Sequence, residues 1–330
     1  MLQRLIDYLL KNQVLFALFL VFLALFVYQI REILVTLFLA YIIMASILPI
    51  TEYLRKRKVP KLFAVLIPYF GISMAFFLLI FTMVPFIIDQ VESLAKDFPK
   101  YLDRTANIFG VTEINPRQVQ SYLTSQVDNV SSSAFEVTTR VFGGIFTVIT
   151  IFIVSLYLLL YNDQFKKFIA KLFHNRHHDK ALKTVSLVNE KLGAWLQGQM
   201  FLSFFIGIIT WIALTLLGIP LALPLAIIAG MLEVVPTLGP TLAAIPAIII
   251  AFTISPTMAL VVAATYILIQ MLENQVLVPK IMERAVGLNP VIVIIGVSIG
   301  ANLLGVVGAL LAIPFISFVI VIYKSIEAQR

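Results

Sequence analysis

The sequence predicts an all-α, polytopic membrane protein with six full transmembrane helices and two broken-helix or re-entrant hairpins. That makes about eight membrane segments, with a small extracytoplasmic helical segment besides. Three observations carry this. Hydrophobic residues make up 61% of the chain, charged residues only 12%, and the mean hydropathy is +1.01; a soluble domain carries about twice that charge. Apolar runs long enough for a bilayer, roughly 20 residues each, recur along the whole length. Proline and glycine gather late: nine of 15 prolines lie from Pro220 onward and 11 of 15 glycines from Gly193 onward, so the second half is where apolar helices should break.

Residues 1–88 hold the first three spans, at 12–30, 33–50 and 62–88. The first lacks an A-x-A cleavage pattern and is too long for a signal-peptide core, so it reads as a retained span. Residues 141–330 form the transmembrane core, with spans at 141–161, 199–217 and 257–277. Six spans place both termini on one side, and basic residues say which. The segment 51–61 holds Arg55, Lys56, Arg57, Lys58 and Lys61 against Glu52, and 162–198 is likewise rich in lysine. Segment 89–140 has more acids than bases. Positive-inside logic puts the termini, 51–61 and 162–198 in the cytoplasm and 89–140 outside.

Within the outer segment, Asn115 and Pro116 suit an N-cap and first helical position, followed by Val119, Tyr122, Leu123 and Val127 at helical spacing. On the other side, "FKKFIAKLF" sets Phe165, Phe168, Ile169, Leu172 and Phe173 against Lys166, Lys167 and Lys171. That pattern predicts a helix lying on the anionic inner leaflet.

Two apolar stretches remain, 218–254 and 291–323. Each must begin and end on the same side, yet two crossings need about 40 residues plus a turn. The first splits at "EVVPTLGP" (233–240), where a carboxylate, two prolines and a glycine interrupt nearly pure hydrocarbon. The second splits at Gly305 and Gly308. Irregular backbone at membrane depth survives only where protein or a watery cavity satisfies its polar groups, and paired interrupted segments point to a translocation site. The expected corner residues are Pro236, Gly239 and Pro240 in the first hairpin, Gly305, Gly308 and Pro314 in the second, and Pro279 between them.

The pieces "GAWLQGQ" (193–199), "EVVPTLGPTLAAIPA" (233–247), "LENQVLVPKIMERAVGLNP" (272–290) and "GVVGALLAIP" (305–314) occur in order. In combination they resemble the AI-2E family of bacterial transporters, named for export of the quorum-sensing signal autoinducer-2. The resemblance covers essentially the whole chain, though the first half matches mainly in span pattern. It implies an inner-membrane transporter of about eight membrane segments that assembles as a homo-oligomer, a pentamer being the candidate state. The family divides on substrate: some members are linked to autoinducer-2 export and others to sodium or lithium/proton antiport.

Glu233 and Glu273 are the acids most deeply set in apolar sequence. An intramembrane carboxylate is costly and marks a transport or coupling site by default. Helical rise places both in the inner half of the bilayer, able to face one cavity. Gln199 and Asn274, with Gln270 and Gln275 nearby, offer neutral contacts, or simply hydrogen bonds between helices.

"GVSIG" (296–300) matches a nucleophile-elbow pattern formally, but Gly296 and Gly300, four apart, more simply allow close helix packing. No enzymatic activity is expected. Nor is a cofactor, a metal site at His174, His177 and His178, or a nucleic-acid partner. Without cysteine there is no thiol chemistry, and without a Walker motif no ATP drive from this chain. The expectation is a secondary transporter exporting a small polar solute or signal with ion coupling. Its alternatives are a sodium (lithium)/proton antiporter, a channel, or a scaffold. Its partners are membrane lipid, the solute or cation, and further copies of itself.

Overall fold

A computed structural model describes residues 13–75, 77–78, 134–172, 178–235, 238–282 and 290–327. Every regular element among them is helical. The elements are α1 (Gln13–Gln29), α2 (Arg31–Lys56), α3 (Lys61–Ala75), α4 (Ala134–Leu160), α5 (Asn162–Lys171) and α6 (His178–Leu216). Next come α7 (Ala222–Leu232), α8 (Leu238–Ile254) and α9 (Pro256–Leu272), then a π-helical turn (Glu273–Leu277), α10 (Val278–Met282) and α11 (Pro290–Glu327). Among the described residues four helical runs are long and apolar enough to cross a membrane: α2, α6, Pro256–Met282 and Val291–Glu327 of α11, the last folded back on itself at Gly305. A fifth qualifies if α4 and α5, bent by 78° at Tyr161, count together. The chain is a multi-pass membrane protein. Two of the six expected spans, 12–30 and 62–88, correspond to α1 and α3, which are shorter apolar helices within the described residues. The outer segment lies outside the described residues, except that 134–140 belong to α4.

The first correction concerns 162–198, expected as a cytoplasmic loop. Its second part is the first half of α6, a helix of 39 residues, about 58 Å long at 1.5 Å per residue. Val188, Leu192, Trp195, Leu202 and Ile206 recur at three- to four-residue spacing and are all buried, so an apolar stripe outlasts the charges between them. This half runs parallel to α2 in register. A Cβ on Gly193 would stand 2.4 Å from the Ala45 carbonyl oxygen, so only glycine lets the backbones meet there. Gln197 Nε2 donates to the Ser46 carbonyl at 2.5 Å, and Tyr41 donates its hydroxyl proton to Asn189 Oδ1. Asn189 Nδ2 in turn reaches Asn162 Oδ1 at 3.4 Å, tying the start of α5 to the α2–α6 pair. Asp163 adds exposed ion pairs to Arg55 (3.6 Å) and Lys61 (3.9 Å).

Helices α7 and α8 form a compact antiparallel pair. Leu225 and Ala229 face Ala243, Ala247, Ile250 and Ala251, alanines allowing the close approach. A sharp start to α9 follows, where Ser255 accepts from Met258 N at 3.0 Å and Pro256 opens the helix. Helix α11 is broken at Gly305 (φ 62°, ψ −144°), a backbone region open essentially to glycine alone. Its two arms fold against each other. A Cβ on Gly300 would lie 2.2 Å from the Gly308 carbonyl oxygen, and one on Gly296 would lie 2.3 Å from Ile316.

Candidate coupling site

The site is built where α7 ends. The last carbonyls of a helix lack intrahelical partners, and here Gln199 Nε2 of α6 donates to the Glu233 carbonyl at 2.6 Å. That bond fixes the α7 terminus against α6. The chain then turns through Val234 and Val235 into α8, with Gly239 N donating to the Val235 carbonyl at 2.9 Å. Gly239 is needed for the fold-back: a Cβ there would stand 2.0 Å from the Leu232 carbonyl oxygen. Turned inward by this corner, the Glu233 side chain is 0% exposed.

Glu273 stands at the first position of the π-turn after α9 and is 2% exposed. Such turns insert one extra residue into a helix and often mark functional positions. Its Oε2 accepts from Gln270 Nε2 at 3.1 Å. The two carboxyl groups lie close enough to act on each other's charge. Neither oxygen of Glu233 has a hydrogen-bond partner, and the Gln199 Oε1 beside it is unpartnered too. Among the described residues, the groups acting on the two acids are each other and the Gln270 amide, with no Lys or Arg.

Of the residues singled out in the sequence, the structure thus brings together Glu233, Glu273 and Gln199. Asn274 does not join them: the π-turn buries Glu273 but leaves Asn274, Gln275 and Val276 exposed. Gln270, weighed only as a neutral contact, holds Glu273 directly. Pro240, Gly308 and Pro314 are buried, Pro279 and Gly305 are exposed, and Pro236 lies outside the described residues. Ser298 is exposed and donates to the Ile294 carbonyl of its own helix at 2.9 Å, spending its hydroxyl on helix structure. Among the described residues no three His, Cys, Asp or Glu side chains group to hold a metal; His174 and His177 fall outside them. A separate groove of about 530 Å³ lies between α2, α4, α5, α6 and α11. Its lining is almost wholly apolar and includes neither acid.

A family model described as AI-2E family transporter matches residues 16–328. The chain belongs to the AI-2E transporter family. Two Bacillus subtilis proteins assigned provisionally to transport are similar to it. YrrI is 24% identical over 300 residues, 86% of this chain and 84% of its own length. YueF is 24% identical over 327 residues, 92% of this chain and 88% of its own. A Mycobacterium tuberculosis protein with the same provisional assignment, MT0215, is 42% identical over 60 residues, 18% of this chain and 16% of its own. As an AI-2E family transporter, the chain carries its two enclosed acids on the interrupted helices α7–α8 and α9–α10.

Proposed function

We propose that this AI-2E family member is an ion-coupled secondary transporter in the bacterial cytoplasmic membrane, exporting a small polar solute or signal of the autoinducer-2 kind. The coupling ion is taken up at the Glu233–Glu273 pair. One observation carries the reading: two enclosed carboxyl groups within reach of each other's charge, with no basic partner among the described residues, where two helices are interrupted. Removing two negative charges from water together costs several kcal/mol each. The arrangement therefore calls for positive charge between them, either a shared proton or a bound cation. Gln199 and Gln270 hold the acids in place without neutralising them. A mobile ion is then the natural counter-charge, and its arrival and departure can bias two arrangements of the hinged helices.

A second reading, sodium or lithium exchange for protons with no organic solute, draws on the tightness of the site. At the Gly239 corner even an added methyl would meet backbone, which suits a bare ion better than a polyol. Both readings keep the termini in the cytoplasm and treat the protein as a homo-oligomer.

Proteoliposomes with imposed proton or sodium gradients separate the readings. The exporter drives autoinducer-2 movement that collapses with an ionophore for the coupling ion. The antiporter exchanges sodium or lithium for protons whether or not autoinducer-2 is present. Flux indifferent to either gradient contradicts ion coupling altogether.

A further inference from the structure

Helical serine and threonine in an apolar protein normally bond back to their own helix. Thr36, Thr150, Thr184, Thr265 and Ser298 each donate to the carbonyl four residues earlier, and Ser46, Ser155 and Thr253 to the one three residues earlier. Ser203 and Thr210 of α6 do not, although both hydroxyls are buried. On the same helix Trp195 Nε1 and Gln199 Oε1 are buried and unpartnered as well. At 100° per residue, positions 195, 199, 203 and 210 fall within about 80° of one another. They form a single stripe about 22 Å long at 1.5 Å rise.

The stripe meets α7 and the helix bearing the second acid. A Cβ on Gly230 of α7 would stand 2.8 Å from the Ser203 carbonyl oxygen, and Gly207 and Gly230 are themselves in near contact. Gln199 is bonded to Glu233. Tyr266 of α9 shares a core cluster with Leu214 of α6 and carries another buried, unpartnered hydroxyl. Each unpaired group costs about 1–3 kcal/mol if left dry; Thr51, Ser73 and Ser317 are unpartnered elsewhere, but four such groups share one face of α6.

From this we infer that the α6 stripe Trp195–Gln199–Ser203–Thr210, with Tyr266, is a narrow hydrated path carrying water and a small monovalent cation or proton to Glu233. Its chemistry selects the passenger. Hydroxyl and amide oxygens outnumber the single indole donor and no basic side chain belongs to the stripe, so cations are favoured over anions. Backbone contact between α6 and α7 excludes an organic solute, which must use a different route. This inference rests on the reading that Glu233 receives the ion, but its test does not.

The chain has no native cysteine, so Ser203→Cys and Thr210→Cys each place one thiol on the path with little change of shape. Membrane vesicles are exposed to silver ion, a monovalent cation similar in size to sodium, then washed, denatured and labelled with a fluorescent maleimide. The expected result is loss of nearly all labelling at both positions, because a thiol reached by water and cation is capped by silver. Phe204→Cys and Ile212→Cys, on the outward face of α6, should keep full labelling. Full labelling at Ser203→Cys and Thr210→Cys would overturn the path. If those thiols keep full labelling but Glu233→Gln uncouples transport, the coupling site stands and the path fails. If they are capped but Glu233→Gln keeps its ion dependence, the path stands and the coupling site fails.

Discussion

A methyl group at Gly239 would stand 2.0 Å from the Leu232 carbonyl oxygen and 2.4 Å from its carbonyl carbon. Non-bonded heavy atoms prefer about 3.5 Å or more, so Gly239→Ala requires the arms of the α7–α8 hairpin to part by about 1.5 Å. The obstacle is backbone, which cannot rotate away as a side-chain tip would. Overpacking of this kind costs about 1–3 kcal/mol, against a gain of up to about 1 kcal/mol from replacing glycine in a helix. The same opening carries Glu233 away from Glu273, so transport suffers more than stability. The assay pairs thermal unfolding, read by tryptophan fluorescence with Trp195 buried, with ion-driven flux in proteoliposomes. Gly239→Ala is expected to unfold several degrees lower and to lose most of its flux while still reaching the membrane. Gly71→Ala, with nothing within 4 Å of the added Cβ, should unfold at or above the parent temperature and transport normally. Equal behaviour of the two variants would refute the reasoning, because it would mean the hairpin opens freely.

Three further outcomes follow from the same geometry. Gly300→Ala directs a Cβ to 2.2 Å from the Gly308 carbonyl and should splay the α11 arms, lowering the unfolding temperature and the flux together. Asn189→Ala removes the link between Tyr41 and Asn162; leaving buried Asn162 and half-buried Tyr41 unpaired should cost about 1–3 kcal/mol, read as an earlier thermal transition. An impermeant maleimide should label Asn107→Cys in intact cells and Lys183→Cys only after permeabilisation; the opposite pattern would invert the proposed orientation.

Much of this architecture can be read from the chain because lipid constrains it so strongly. Long apolar runs can only be helices, and a Glu-Pro-Gly-Pro interruption at 233–240 can only be a break. What eludes such reading is lateral. Lys180, Lys183, Glu190 and Lys191 make the first half of α6 look like a loop, while Val188, Leu192 and Trp195 dock it along α2. The turn at Glu273 contains neither proline nor glycine, so nothing in its composition marks it, and it alone separates buried Glu273 from exposed Asn274. The α6 stripe did have a signal, the helical spacing of Trp195, Gln199, Ser203 and Thr210. Its meaning depends on those groups lacking partners, which only packed helices reveal.

The central claim is that Glu233 is where the ion gradient enters the transport cycle. Glu233→Gln keeps the shape of the side chain and the Gln199 bond to the backbone carbonyl, but it can neither release a proton nor hold a cation by charge. The decisive measurement is flux through Glu233→Gln in proteoliposomes, with and without imposed proton and sodium gradients, beside the parent protein at matched expression. The account predicts flux that no longer responds to either gradient, in a protein that folds and assembles normally. Flux retaining the parent's pH and sodium dependence would contradict it, making Glu233 a structural cap of α7.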